Sequence, residues 1–140
     1  MPPEKTSGIL FLTGISGSGK SAIARELARK LRCKMYDIDV LLTGSERMSV
    51  KSIFERKGES YFRRRERETI AELTRRLRSC GKRAVVSLGG GSLMNAATAR
   101  LVARTGTLIY LVVSCREAAR RLLKSYDRPL ILDSSGKRLS

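Results

Sequence analysis

The sequence predicts an α/β fold in three layers, a parallel β-sheet with helices on both faces. Two observations carry this. Short β-like runs at 8–13, 34–39, 83–88 and 107–113 alternate with longer stretches of helical periodicity, the order that builds a parallel sheet. The first run, Ile9-Leu-Phe-Leu-Thr13, also leads directly into a glycine-rich stretch and then a helical stripe. That sets a loop at the carboxyl edge of the sheet, where open α/β folds bind ligands. At 140 residues, 41% of them apolar, the chain makes a single domain over 1–140 with a substantial core.

The glycine-rich stretch, Gly14-Ile-Ser-Gly-Ser-Gly-Lys20-Ser21, meets the pattern G-x-x-x-x-G-K-[ST]. Its backbone can curl with N–H groups pointing inward, at the positive end of the following helix, and so form a concave site for an anion. Lys20 adds charge for the β- and γ-phosphates of a nucleoside triphosphate, and Ser21 adds a hydroxyl for the Mg²⁺ that accompanies them. Along 21–31, Ile23, Leu27 and Leu31 recur every four residues and predict a helix buried on that stripe.

Lys34-Met-Tyr-Asp-Ile-Asp39 reads as a second strand. Placed beside the first, it would bring Asp37 and Asp39 to the ligand edge, pointing the same way by strand alternation. A helix cap or turn is the competing reading of the pair. Residues 49–78 follow as helix with a break near Gly58. Ser49 fits an N-cap, Val50, Ile53 and Phe54 form one apolar face, and Phe62, Ile70, Leu73 and Leu77 form another. Cys80-Gly81 ends the second piece. Arg63 and Glu66 are three apart and neighbour each other on one face, a pairing that contributes under about 1 kcal/mol when exposed.

The β-branched run 83–88 stops at Gly89-Gly90-Gly91, three bare residues that argue for a ligand's close approach or a hinge. Residues 95–104 predict a helix, and 107–113 a fourth, buried strand. Residues 114–117 have capping-box spacing and open a helix to about Lys124. From Asp127 the chain is polar and interrupted by Pro and Gly, as expected of a mobile lid.

Lys and Arg number 29 against 13 Asp and Glu, a net charge of +16, which fits either a polyanion or the attraction of small anionic substrates. The basic residues are spread over every predicted helix, and Glu66 interrupts the densest cluster, 63–67. Solvated helix faces account for most of them, and no specific nucleic-acid site is indicated. Cys33, Cys80 and Cys115 are widely spaced, odd in number and unaccompanied by histidine, so neither a disulfide framework nor a zinc site is expected, and a reducing cytoplasm is the expected setting. No apolar stretch approaches the length of a membrane span. No sequence pattern speaks to oligomeric state.

Together these pieces resemble the shikimate kinases, small members of the nucleoside-monophosphate-kinase-like group of phosphate-loop proteins. The resemblance runs nearly end to end. Beyond the loop it rests on Asp37-Ile-Asp39, Ser49-Val-Lys-Ser-Ile-Phe54, Gly58-Glu59 with Phe62-Arg63 and Glu66, Leu88-Gly-Gly-Gly91 and Arg128-Pro-Leu130. It implies a phosphate-loop kinase fold and Mg²⁺-dependent transfer of the ATP γ-phosphoryl group to a hydroxyl of shikimate, giving shikimate 3-phosphate.

Under the resemblance, Gly14, Gly17, Ser18, Gly19, Lys20, Ser21 and Ala22 match the nucleotide-contacting loop. Ser21 and Asp37 match the Mg²⁺ positions, the latter through water. Asp39 matches the carboxylate that accepts hydrogen bonds from the acceptor's hydroxyls. Arg63 matches the arginine that clamps the acceptor's carboxylate, with Glu66 orienting it, and Gly89, Gly90 and Gly91 match a backbone platform beneath. Arg121 falls where the family often stacks an arginine on adenine, and Arg128 matches the lid arginine that closes over the transferring group. Lys20, Asp39 and Arg128 are thus the expected catalytic residues.

The loop continues Lys-Ser-Ala where Lys-Ser-Thr is commoner in the family, a change that leaves the Ser21 hydroxyl in place. Family members also continue for several tens of residues, with a second carboxylate-binding arginine, a final strand and a closing helix. None of these is in the sequence, so 125–140 are expected to form a partial lid, and the chain to bind nucleotide with little or no shikimate phosphorylation. Three other readings stay open: a kinase for another small polyhydroxy acid such as gluconate, a nucleotide-binding protein without turnover, and a nucleic-acid binder suggested by charge alone.

Overall fold

The computed structural model describes residues 8–14 and 19–112. Its elements follow as β1 (Ile9–Gly14), α1 (Lys20–Leu31), β2 (Lys34–Asp37), α2 (Ile38–Glu46), α3 (Val50–Lys57), α4 (Glu59–Ser79), β3 (Ala84–Ser87), a 3₁₀ turn (Ser92–Met94), α5 (Ala96–Thr105) and β4 (Thr107–Leu111). The four strands form one parallel sheet in the order β2-β3-β1-β4.

Strand alternation divides the core between the two faces. Ile9 and Phe11 of β1, with Ala84 and Val86 of β3, meet Ile70, Leu73 and Leu77 of α4 and Val102 of α5. Leu12 and Val85 point the other way, onto Ala24 and Ala28 of α1. Sheet and helices therefore make the three layers that alternating strand and helix patterns imply. A third cluster, Leu42, Ile53 and Phe62, ties α2, α3 and the start of α4 into a unit at one end of the sheet. Polar contacts reinforce it. Glu46 accepts hydrogen bonds from Tyr61 Oη at 2.7 Å, Arg65 Nε at 2.9 Å and Lys57 Nζ at 3.0 Å. The Tyr61 hydroxyl first, then Lys57 and Arg65, hold the Glu46 carboxyl down to about 2.

Helix ends follow local chemistry. Ser49 Oγ accepts from Ser52 N at 3.1 Å as the cap of α3, and Asn95 Oδ1 accepts from Ala97 N and Thr98 N at the start of α5. Gly58 closes α3 by donating to the Ile53 and Phe54 carbonyls, and opens α4 by accepting from Phe62 N.

Several expectations are corrected. β2 does not lie beside β1: the α1 crossover carries the chain one place further out, and β3 later fills the gap. The second strand ends at Asp37, so Asp39 stands in the first turn of α2, a helix that the 34–39 reading does not foresee. The buried line of α1 is Ala24 and Ala28, with Leu27 and Leu31 beside it, whereas Ile23 is 40% exposed. The physical reason is that alanines let the helix axis approach the sheet closely, which turns the larger side chains to the flanks. β4 is not a buried strand, since it pairs with β1 alone at the end of the described sheet and leaves Leu108 and Tyr110 exposed.

Gly17, Ser18, Cys115, Arg121, Arg128, the helix expected to about Lys124 and the partial lid 125–140 lie outside the described residues. Cys33 and Cys80 are free thiols. Among the described residues no helix is long and apolar enough to cross a membrane.

Candidate active site

Three strand ends, Gly14 of β1, Asp37 of β2 and Ser87 of β3, meet at the carboxyl edge of the sheet, in a register that pairs Ser87 with both Leu12 and Asp37. Gly19 takes a φ of 85° just before α1, a left-handed conformation that glycine adopts without a Cβ clash. Lys20 then folds back so that its Nζ donates to the Gly14 carbonyl at 3.0 Å. Ser21 follows on the first turn of α1, partly buried, and Ala22 is exposed.

Asp37 serves as the N-cap of α2. Its Oδ1 accepts from Asp39 N at 2.9 Å and Val40 N at 3.3 Å, so the cap reading of the Asp37 and Asp39 pair holds for Asp37. Its Oδ2 has no hydrogen-bond donor among the described residues. Among the described residues no three His, Cys, Asp or Glu side chains converge as a metal cage. One hydroxyl, Ser21, and one half-committed carboxylate, Asp37, suit a cation that keeps most of its water and takes phosphate oxygens, as Mg²⁺ does.

The cap carries Asp39 inward to the end of β3. Its Oδ1 is buried without a hydrogen-bond partner, an arrangement with a real desolvation cost. Burial above all, then the charges of Asp37 and Glu66, raises the Asp39 carboxyl above the ordinary aspartate value, while Lys20 and Arg63 pull it down.

Arg63 and Glu66 differ from the exposed pair their spacing allows. Glu66 is fully buried, Arg63 Nη1 donates to its Oε1 at 3.0 Å, and only 23% of the Arg63 side chain is exposed. The guanidinium lies over the Phe62 ring, 5.2 Å from its centroid, and Phe62 leans on Phe54, so its rear is fixed by an aromatic contact. Among the described residues Glu66 is its one hydrogen-bond partner, which leaves Nη2 and Nε for something else.

The glycine run explains how these groups fit. None of the three glycines has positive φ; what matters at two of them is space. A Cβ on Gly89 would stand 3.3 Å from Asp39 Oδ1 and from Ser92 Oγ, and one on Gly91 would stand 2.6 Å from Arg63 Nη2. Gly90 lies between them on an exposed turn. The structure therefore brings Asp39, Arg63, Gly89 and Gly91 together, with Lys20 near enough to act on Asp39. It also adds Ser92, which is not among the expected residues: its buried Oγ donates to Glu66 Oε2 at 2.8 Å. The one signal that could have found it is its place directly after the glycine run.

The family model for shikimate kinase matches residues 16–140. The chain belongs to the shikimate kinase family. A shikimate kinase of Chlorobium limicola is 44% identical over 136 residues, covering 97% of this chain and 66% of that protein. Among solved structures, a shikimate kinase from Acinetobacter baumannii in complex with shikimate superposes with a TM-score of 0.79 at 28% identity, covering 95% of this chain and 71% of that one. The enzyme from Bacteroides thetaiotaomicron gives a TM-score of 0.80 at 29% identity, with 90% and 69% covered. The chain spans about two thirds of the length of these family members.

Proposed function

We propose that the chain carries the catalytic edge of a kinase that transfers the γ-phosphoryl group of ATP to the 3-hydroxyl of shikimate. The observation that carries this reading is Asp39 Oδ1, a buried acceptor without a donor, on which the charges of Lys20 and of the Arg63 guanidinium, with its unused N–H groups, both act. A molecule with a hydroxyl at one end and a carboxylate at the other would satisfy both. Shikimate is such a molecule, and it is the ligand named with the Acinetobacter baumannii enzyme.

In this reading the N–H groups of the loop and Lys20 hold the triphosphate, and Lys20 neutralises charge as the γ-phosphoryl group leaves. Ser21 and Asp37 would hold Mg²⁺, which when bound neutralises phosphate charge. Asp39 aligns the acceptor hydroxyl and takes its proton as the oxygen bonds to the γ-phosphorus and the bond to the β-phosphate oxygen breaks. Arg63, held by Glu66 and Phe62, clamps the acceptor's carboxylate with two parallel hydrogen bonds. Gly89, Gly90 and Gly91 bring backbone to the acceptor without side chains in the way. Arg121 on the adenine and Arg128 over the transferring group complete the proposal, and for these two the support is the family resemblance.

The test is ADP release by the purified chain with Mg²⁺ and ATP, measured with shikimate, with gluconate and without acceptor. Release that depends on shikimate supports the reading. Release that depends on gluconate alone, or binding of nucleotide by a chain that shows no calorimetric affinity for shikimate, overturns it.

A further inference from the structure

Glu66 is a buried carboxylate with two hydrogen-bonded oxygens and two different partners. Oε1 takes the Arg63 guanidinium and Oε2 takes the Ser92 hydroxyl, 26 residues along the chain. Ser92 is itself fully buried and is anchored through its backbone N–H, which donates to the Gly89 carbonyl at 3.2 Å. The place a Gly89 Cβ would take is equally close, 3.3 Å, to Ser92 Oγ and to Asp39 Oδ1. A serine hydroxyl has one proton to donate. Here it goes to Glu66, and Asp39 Oδ1 keeps no donor.

We infer that Ser92 is a positioning residue for acceptor binding: by holding Glu66 Oε2 it sets the angle at which Oε1 presents Arg63 to the acceptor's carboxylate. Without the hydroxyl, Oε2 would be a buried charged oxygen without a donor, a state proteins avoid by moving or protonating the group. Either response loosens Arg63. The inference rests on the reading of Arg63 as the clamp for that carboxylate.

Calorimetric titration of the full chain and its Ser92→Ala variant tests this, with shikimate, shikimate methyl ester and Mg²⁺-ADP as ligands. The alanine variant is expected to bind shikimate about tenfold more weakly, the scale of one charge-assisted hydrogen bond. Its affinity for the ester, which offers Arg63 no carboxylate, and for ADP should stay within about twofold of the parent chain's. Ser92→Cys, similar in size but a poor donor, provides the same comparison if the alanine variant does not fold. Equal loss for shikimate and ester would mean that Ser92 merely shapes the site, and unchanged shikimate binding would mean that the bond does nothing; either overturns the inference. A parent chain that binds ADP but neither acid nor ester overturns the proposed acceptor, and this inference with it.

Discussion

The Arg63 guanidinium lies against Gly91 so closely that a Cβ there would stand 2.6 Å from Nη2. Nη2 is the end of a flexible side chain, so Gly91→Ala should be accommodated by displacing the guanidinium. The fold should keep its stability to within about 1 kcal/mol, while affinity for shikimate falls about tenfold. Thermal melts and shikimate titrations on the one variant check both. A large drop in melting temperature with normal affinity would show that the glycine serves the fold instead.

Lys20 donates to the Gly14 carbonyl and acts on Asp39 electrostatically. Lys20→Ala should lower acceptor-dependent ADP release by roughly 10²–10³-fold, the scale for removing one transition-state charge contact. Its unfolding curve should change little, because the side chain serves a ligand-facing loop. Turnover equal to the parent's would remove Lys20 from the chemistry.

Asp39→Asn keeps the shape of the side chain and discards its basicity. Turnover should fall about 10²-fold or more if the carboxylate takes the acceptor's proton, while calorimetry should still detect nucleotide binding. Loss of ADP affinity with preserved shikimate affinity would assign Asp39 to the other half of the site.

Glu46 provides a pH signature of the fold. Its folded carboxyl sits at about 2, below an ordinary value of 4.5, so its bonds to Tyr61, Lys57 and Arg65 add stability that is fully present above 4.5. That stability is lost as pH falls toward 2. Glu46→Gln should therefore lower the urea midpoint at pH 7, and the gap to the parent chain should narrow between about pH 4.5 and pH 2.5. A gap independent of pH would show that the carboxylate's charge contributes nothing there.

Much of this was legible in one dimension. The Gly14 and Gly19-Lys20-Ser21 spacing located the loop because a phosphate cradle is built from consecutive backbone groups. Phe62, Ile70, Leu73 and Leu77 marked the buried face of α4 because helical period is a local property. Asp37 and Arg63 were singled out by residue type and by resemblance, with the setting of each left open between two readings. Asp37 ends its strand and caps a helix, and α2 could not be read from a run whose alternation looked like a strand continuing to Asp39.

The sequence by itself determined the layered α/β class, the phosphate loop and the helix break at Gly58, since each depends on pattern and spacing between near neighbours in the chain. Only the tertiary structure decided that β3 separates β1 from β2, that Glu66 is buried, and that Ser92 reaches it across 26 residues. Desolvation is a property of everything packed around a group. The spacing of Arg63 and Glu66 allows an exposed pair or a buried one equally well, and the glycine run that follows β3, with Gly91 against the guanidinium, belongs to the packing that buries it.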